Sequence, residues 1–512
     1  MKKINFYIFL VAIFGFYSCA DELDLAPLDR VTPDTFYKTR ADFDGAIFSS
    51  YSSLQDFYGT STETLGETGE YWKISMIITD DAEVDANSGD TRTRSADNLQ
   101  VTSADVAFQA VFGEIYEGIY RANIVLENLE GENELTAEDK TVLSAEAKFL
   151  RAFYHFQALK LFGETSPIAI AVGKDLNDLA LPNAGPGELY AQILTDFSDA
   201  AAGLPEAWDG GNTGRATAWA AKSFIGKVNV FKEDWPAAIT AIGDVVENGP
   251  YSLVTSSYDD VFAYNNENNS ESIFEIQYGG PFSDDNIWVF DDNHSENFKG
   301  SQGSGRAWYW DPANGAPAQA QGWFIPTQDL VDAFEPGDTR LETSIYQPGE
   351  TYYKLSPGGV LNVLDYDPTW SSNGLSLKKY RGQTNMVAAN YSPNGVGDFN
   401  NERWFRFAEL KLLYAEALIR GGGDVSIAVQ QIQDIRDRAG LTAPMNSDPL
   451  AAMMQEKRVE MAFEPHRWFD IVRWDLGPTI FGSSWDPKLE VFPFPLSEID
   501  RSGGLMTQNA GY

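Results

Sequence analysis

Residues 143–158 read LSAEAKFLRAFYHFQA, and their apolar spacing indicates the fold class. Its apolar side chains recur at spacings of three and four, at Leu143, Ala147, Leu150, Tyr154 and Ala158. This is the period at which side chains line one face of an α-helix. An apolar face of this kind is stable only when another element covers it. The segment therefore predicts a mostly α protein, with this helix packed on the one before it.

Paired helices are predicted on both sides of this segment. The preceding helix shows the same spacing at 112–126. Later in the chain, helices at 216–231 and 235–248 form one pair, and helices at 404–420 and 424–439 form another. Each of these two pairs covers about 34 residues, the period of the tetratricopeptide repeat. The period alone indicates a helical repeat.

The segment between the two later pairs has a different composition. Residues 251–403 are rich in Gly, Pro, Asn and Asp. They also carry five tryptophans: Trp288, Trp308, Trp310, Trp323 and Trp370. Long irregular segments on a rigid scaffold usually carry binding sites. We therefore predict one domain at 41–512, with helical repeats at 41–250 and 404–475 and a loop-rich binding insertion at 251–403.

The N-terminal residues predict a signal peptide and a lipid anchor. Lys2 and Lys3 precede a short apolar segment that ends just before Cys19, the one cysteine of the chain. The segment is too short to span a bilayer, which needs about 20 residues, and matches a signal peptide whose cysteine accepts lipid. We predict a signal peptide at 1–18, lipidation of Cys19 and a tether at 19–40. An ordinary cleaved signal peptide with a chance cysteine is the alternative.

The charge of the chain narrows the set of partners. The formal net charge is −38. Such a surface repels phosphate backbones and anionic lipid, so nucleic acid is not an expected partner, and neutral glycans are favoured over polyanionic ones. With a single cysteine the chain has neither disulfides nor multi-thiolate metal sites.

Four motifs occur in order along the chain. They are SAEAKFLRAFYHF with LFGETSP from residue 144, RFAELKLLYAEA from residue 406, EKRVEMAFE with RWFDIVR from residue 456, and FPFPLSEI with the terminal QNAGY from residue 492. In this order they resemble the SusD/RagB-like family of Bacteroidetes outer-membrane nutrient-uptake lipoproteins. His155 departs from the family pattern, in which an aromatic residue is commoner at that position.

The resemblance implies a SusD-like fold, with four tetratricopeptide-like helix pairs and a large irregular insertion that binds glycan. It also implies a lipid-anchored protein on the outward face of the cell outer membrane. Such a protein captures oligo- or polysaccharide and delivers it to a SusC-like TonB-dependent transporter.

Candidate glycan contacts follow from sugar chemistry and from the resemblance. Aromatic rings cover the flat C–H faces of sugars, and Asn, Asp and Arg orient the hydroxyl groups. The insertion offers Trp308, Tyr309, Trp310, Trp288, Arg306, Asp285 and Asn286. The family pattern adds Asp81, Asn87, Arg92, Arg94 and Asn98 after Asp80. Core packing is the competing interpretation for each tryptophan, and it is the favoured one for Trp323.

Two other function classes remain as alternatives. A glycoside hydrolase needs a placed pair of carboxylates, but the sequence shows no catalytic motif, and His155, His294 and His466 stand far apart. The acids and bases between Glu456 and Asp470 fit an ion-pair network better than a catalytic site. We expect no catalysis, metal or cofactor, with calcium held by scattered loop carboxylates left open. A tetratricopeptide scaffold that binds only protein is the other alternative, and the aromatic insertion argues against it.

Overall fold

The computed structural model describes residues 36–58, 70–88, 91–172, 180–278, 310, 322–356, 360–380 and 400–512. The helices in chain order are α1 Arg40–Gln55, α2 Thr91–Asp97, α3 Val106–Leu129, α4 Ala137–Phe162, α5 Glu188–Gly203, α6 Ala218–Phe231, α7 Trp235–Asn248, α8 Gln328–Ala333, α9 Thr339–Ser344, α10 Phe407–Arg420, α11 Val425–Arg438, α12 Pro449–Glu460, α13 Arg467–Arg473, α14 Gly477–Phe481 and α15 Leu496–Arg501. A π-helix covers Lys73–Ile77.

Short strands join distant parts of the chain. The strands are β1 Ala82–Glu83, β2 Ser272–Ile276, β3 Ile325–Pro326, β4 Thr351–Ser356, β5 Val360–Asp365 and β6 Glu402–Arg406. They form three antiparallel two-stranded sheets, which pair β1 with β3, β2 with β6 and β4 with β5. The main secondary structure of the described residues is helical, as the sequence predicts.

Helix α4 has clear start and stop signals and lies in the core. Thr136 and Asp139 form a capping box at its start, and Gly163, with a φ of 85°, ends it. From Leu143 onward most of its side chains are buried, and it packs between α3 and α5. Its Tyr154 ring rests on Gly118 of α3, where an added Cβ would lie 2.2 Å from the ring. The close contact of these two helices therefore depends on a glycine.

The paired helices match the sequence closely, with one difference. The first pair, α6 and α7, begins and ends within two residues of the prediction. In the second pair α10 begins only at Phe407, because residues 404–406 belong to strand β6. The helical prediction for those three residues is wrong. Strand β2 lies beside them and pairs with their backbone, while the Trp404 and Phe405 rings fill the core.

The core is continuous and strongly aromatic. Trp404 lies 5.5 Å from the ring of Phe153 and 5.0 Å from that of Tyr71, and Phe274 of β2 lies 5.5 Å from Phe153. Rings of this kind bury large apolar areas, which is how a chain without disulfides gains stability. Among the described residues, no helix combines the length and the apolar character needed to cross a bilayer.

The described part of the insertion also buries its tryptophans. Trp370 packs with Tyr346, Tyr352 and Tyr366 in a small separate core behind the β4–β5 hairpin. Trp323 is half-buried, and the Nζ of Lys73 lies 4.8 Å from the centre of its ring. Trp310 is 1% exposed. The expectation that Trp310 offers an exposed ring is therefore wrong.

Candidate functional site

Asp80 fixes one end of the 80–98 segment. Arg467 donates to both of its oxygens, from Nε at 2.8 Å and from Nη2 at 2.6 Å, and Nη2 of Arg458 lies 3.1 Å from Oδ2. Burial acts to raise the pKa of Asp80, but the two guanidinium groups outweigh it and hold that pKa below its usual value. The ionised carboxylate thus ties this segment to α12 and α13.

Asp81 lies inside the protein. It is 3% exposed, and its Oδ1 accepts a hydrogen bond of 2.8 Å from Nε of Arg458. Burial raises the pKa of this carboxyl. The side chain borders a cavity of about 10 Å³, roughly the space of one water molecule. The prediction that Asp81 contacts a sugar is therefore wrong, because its carboxylate holds the arginines under the surface.

The turn at residues 85–88 is held by side chains. Oδ1 of Asp85 accepts the backbone N–H of Asn87 at 2.8 Å, the local bond that makes Asp a turn residue. Nη2 of Arg94 donates to the carbonyl oxygens of Asp85 and Ser88 at 3.0 and 3.2 Å. The turn presents the Asn87 side chain to solvent. Arg94 therefore helps to position Asn87. The Arg94 side chain is itself partly exposed.

Helix α2 ends beside this turn. Nδ2 of the exposed Asn98 donates to the carbonyl oxygen of Arg94 at 2.8 Å and so caps the helix. Oδ2 of Asp97 accepts the backbone N–H of Val84 at 3.2 Å. Burial, aided by the charge of Glu83, raises the pKa of Asp97 to about 6.

Two residues from a distant part of the chain complete the surface. The backbone N–H of Ser372 donates to Oδ2 of Asp85 at 3.3 Å, and Nδ2 of Asn373 donates to Oε1 of Glu83 at 2.9 Å. Both residues are exposed. We name the exposed and half-exposed polar side chains gathered here the polar surface: Glu83, Asn87, Arg94, Asn98, Ser372 and Asn373.

Sequence reasoning found half of this surface. Asn87, Arg94 and Asn98 were predicted, and the fold brings them together. Glu83, Ser372 and Asn373 were missed, the last two because only the tertiary fold places them beside residues 83 and 85. The available signal was the polar turn Ser-Ser-Asn-Gly that follows Trp370.

Known proteins resemble this chain over almost its whole length. Residues 254–491 match a family model described as the SusD family. Residues 7–230 match a second one, described as starch-binding and associating with the outer membrane.

The chain belongs to the SusD family.

Individual relatives agree with this membership. The SusD-like protein P25 of Formosa agariphila is 23% identical over 100% of this chain and 99% of the relative. A solved laminarin-binding SusD-like protein has a TM-score of 0.75 at 22% identity, with 93% of this chain and 100% of that one covered. Surface glycan-binding protein A of Bacteroides thetaiotaomicron, solved with laminarihexaose, has a TM-score of 0.73 at 20% identity, with 92% and 99% covered. The predicted SusD-like, mostly α fold is confirmed.

Several predicted residues of this SusD-family chain lie outside the described part. They are Cys19, Asp285, Asn286, Trp288, Arg306, Trp308, Tyr309 and the side chain of Arg92. Their predicted roles in lipidation and in glycan contact stay predictions.

The charged C-terminal motifs of this SusD-family chain form ion pairs. Glu460 accepts from Arg340 and Arg406 at 3.0 Å each, and also from Arg438. Burial acts to raise the pKa of Glu460, but these three guanidinium groups lower it well below its usual value. Lys457 pairs with Asp470 at 2.8 Å.

Two of the three histidines are also described. His155 and His466 are both buried, and burial lowers the pKa of each. Within the ranges that the structure describes, no three His, Cys, Asp or Glu side chains are placed to hold a metal ion together.

Proposed function

We propose that this SusD-family protein is a surface glycan-binding protein, and that the polar surface is part of its binding site. The observation that carries the proposal is the exposed Asn87 side chain on a turn that Asp85 holds from within and that Arg94 of α2 contacts with its guanidinium group. Support comes from relatives that are described as binding laminarin, laminarihexaose or starch.

The polar surface has the chemistry that sugar hydroxyl groups need. An Asn amide both donates and accepts, and Arg donates in a fixed fork. Because Asp85 and Ser88 already orient the guanidinium group of Arg94, little side-chain entropy is lost when a sugar binds there. In this proposal Trp288, Trp308 and Tyr309 supply the stacking rings, while Arg306, Asp285 and Asn286 add polar contacts from the same insertion.

Asn87→Ala is expected to weaken glycan binding by roughly two- to tenfold, because one net hydrogen bond contributes about 0.5–1.5 kcal/mol. Affinity electrophoresis against laminarin and starch measures this change. The control is Asn248→Ala, which removes an exposed amide at the end of α7 and is expected to change nothing. Wild-type affinity in both Asn87→Ala and Arg94→Met contradicts the placement of the site.

Binding without hydrolysis is part of the proposal. Buried arginines and lysines hold the Glu460 and Asp470 carboxylates, and this arrangement leaves them no access to a glycosidic bond. Prolonged incubation of the purified protein with laminarin or starch is expected to release no new reducing ends. If reducing ends appear and substitution of one carboxylate abolishes them, the protein belongs to the glycoside hydrolase class.

The proposal also includes a lipid anchor on the membrane and a transporter that receives the glycan. We infer that Cys19 carries the lipid on the outer membrane and that glycan passes to a SusC-like TonB-dependent transporter. Support comes from the second family model, described as associating with the outer membrane, and from the resemblance of the N-terminal segment to a lipoprotein signal.

Cys19→Ala is expected to move the protein from the membrane fraction to the soluble fraction, because the thioether-linked lipid is lost. Fractionation of cells that express each form measures the distribution. Wild-type protein from mild detergent extracts is expected to co-purify with the transporter. Membrane retention of Cys19→Ala contradicts the anchor, and recovery of the wild type only as a free monomer contradicts the partner.

A further inference from the structure

Two aromatic rings form a half-exposed ledge at the C-terminal end of the described core. Phe481, the last residue of α14, and Trp485 lie with their rings 9° from parallel and their centroids 6.0 Å apart. Both side chains are partly exposed. The two rings therefore have nearly the same orientation, whereas most ring pairs among the described core residues are tilted or edge-on.

The ledge rests on a rigid base. Trp468 of α13 is buried and lies 5.8 Å from the Trp485 ring and 6.2 Å from the Phe481 ring. The Trp485 indole also lies directly on Gly477, where an added Cβ would be 2.4 Å from the ring. Both contacts fix the orientation of the rings before any ligand arrives, which reduces the entropy lost on binding.

The chain neighbours of the two rings are exposed, and most of them are polar. Gly482, Ser483, Ser484 and Asp486 are exposed. A half-exposed ring with hydroxyl and carboxylate groups at its rim suits a pyranose, since the ring covers the C–H face and the rim meets the hydroxyl groups.

A chain of ring contacts connects the ledge to the start of α3. Trp468 stacks on Phe492 at 5.6 Å, and Phe492 contacts Phe108 at 4.9 Å. Phe108 lies in the first turn of α3, and the loop before α3 leads back to Asn98 of the polar surface. Both features are thus connected to the N-terminal end of α3, the ledge through packed rings and the polar surface through the loop before the helix.

We propose that Phe481 and Trp485 form a second sugar-stacking subsite, which holds a distant pyranose ring of the same neutral polysaccharide that the polar surface binds. This inference rests on the proposed function and extends it, because two separated subsites select long chains over short oligosaccharides. Simultaneous contact with both subsites raises the affinity for a polymer without any new contact at the first.

Trp485→Leu is the test variant, because leucine keeps an apolar contact with Trp468 and Gly477 but offers no flat face. The probes are laminarin and amylose as polymers, and laminaritriose and maltotriose as short chains, each measured by calorimetry. Affinity for the polymer that binds is expected to fall about tenfold, the effect of one lost stacking ring, with no change for its trisaccharide. Trp219→Leu, at another partly exposed tryptophan on α6, is the control and is expected to bind as the wild type.

A second variant keeps the test decisive if Trp485→Leu loses its fold. Ser484→Arg adds a long side chain at the exposed rim that covers the ledge without touching the core, and it is expected to give the same selective loss. If Ser484→Arg and Trp485→Leu both fold and both bind the polymer with wild-type affinity, the second subsite is contradicted and the proposed function is not. A wild-type protein that binds none of the four probes contradicts the proposed function, and the subsite with it.

Discussion

Arg406→Met is expected to lower the free energy of unfolding by about 3–5 kcal/mol, the range for breaking a buried ion pair on one side. Arg406 is fully buried. It donates to both oxygens of Glu464 at 2.7 Å each, to Glu460 at 3.0 Å and also to Glu271. Methionine fills a similar volume, but it leaves the three carboxylates without one of their cations. The loss in free energy of unfolding therefore reports the uncompensated buried charge and not a cavity.

Denaturant-induced unfolding measures the shift for Arg406→Met. The matched control is Arg501→Met, which removes an arginine from an exposed pair with Glu498, where the Arg501 side chain is 65% exposed. Exposed pairs of this kind contribute about 0–1 kcal/mol, so the control is expected to unfold close to the wild type. Equal small shifts in the two variants contradict a structural role for the buried network.

The same network shows what the sequence could and could not predict. Spacing within EKRVEMAFE predicted an ion-pair network, and the structure shows these ion pairs. The spacing could not identify the partners, since Glu460 pairs with Arg340, Arg406 and Arg438 from three other elements. Helix spacing is local and survives in the sequence, but the pairing of distant charges is decided by the fold.

A similar limit applies to strand β6 and to the candidate site. Residues 404–406 continue a helical apolar pattern, yet β2 recruits their backbone into a sheet, because tertiary pairing overrides local preference. In the site, Asn87, Arg94 and Asn98 follow one another closely and were predictable from one segment. Asn373 was not, because it reaches Glu83 only through the folded insertion.

Aromatic residues in the insertion gave the clearest error. The Gly, Asn and Asp around Trp310 predicted an exposed loop, on the reasoning that a core ring would lie on a helical stripe. The structure instead packs Trp310 against Phe324 at 5.4 Å, Trp72 at 6.0 Å and Tyr58 at 6.2 Å. A ring from a segment rich in Gly, Asn and Asp can therefore fill the core when several elements around it leave a ring-sized space.

Trp310→Ala is accordingly expected to lower the free energy of unfolding by about 3–5 kcal/mol, the range for truncating a buried tryptophan. Among the described residues its indole N–H has no hydrogen-bond partner, so Trp310→Phe, which keeps a ring and loses no bond, is expected to cost clearly less. Thermal melting compares these two variants with Tyr120→Ala, which truncates a ring that is 41% exposed and serves as the control.

The order of these melting temperatures separates core from site at position 310. A buried ring predicts that Trp310→Ala melts far below Trp310→Phe, with Tyr120→Ala near the wild type, because cavity formation costs stability only inside the protein. Glycan affinity of folded Trp310→Phe is then expected to equal that of the wild type. A Trp310→Ala protein that melts normally but binds glycan about tenfold more weakly requires an exposed ring that stacks on sugar, and it contradicts the packing of Trp310 against Trp72 and Phe324.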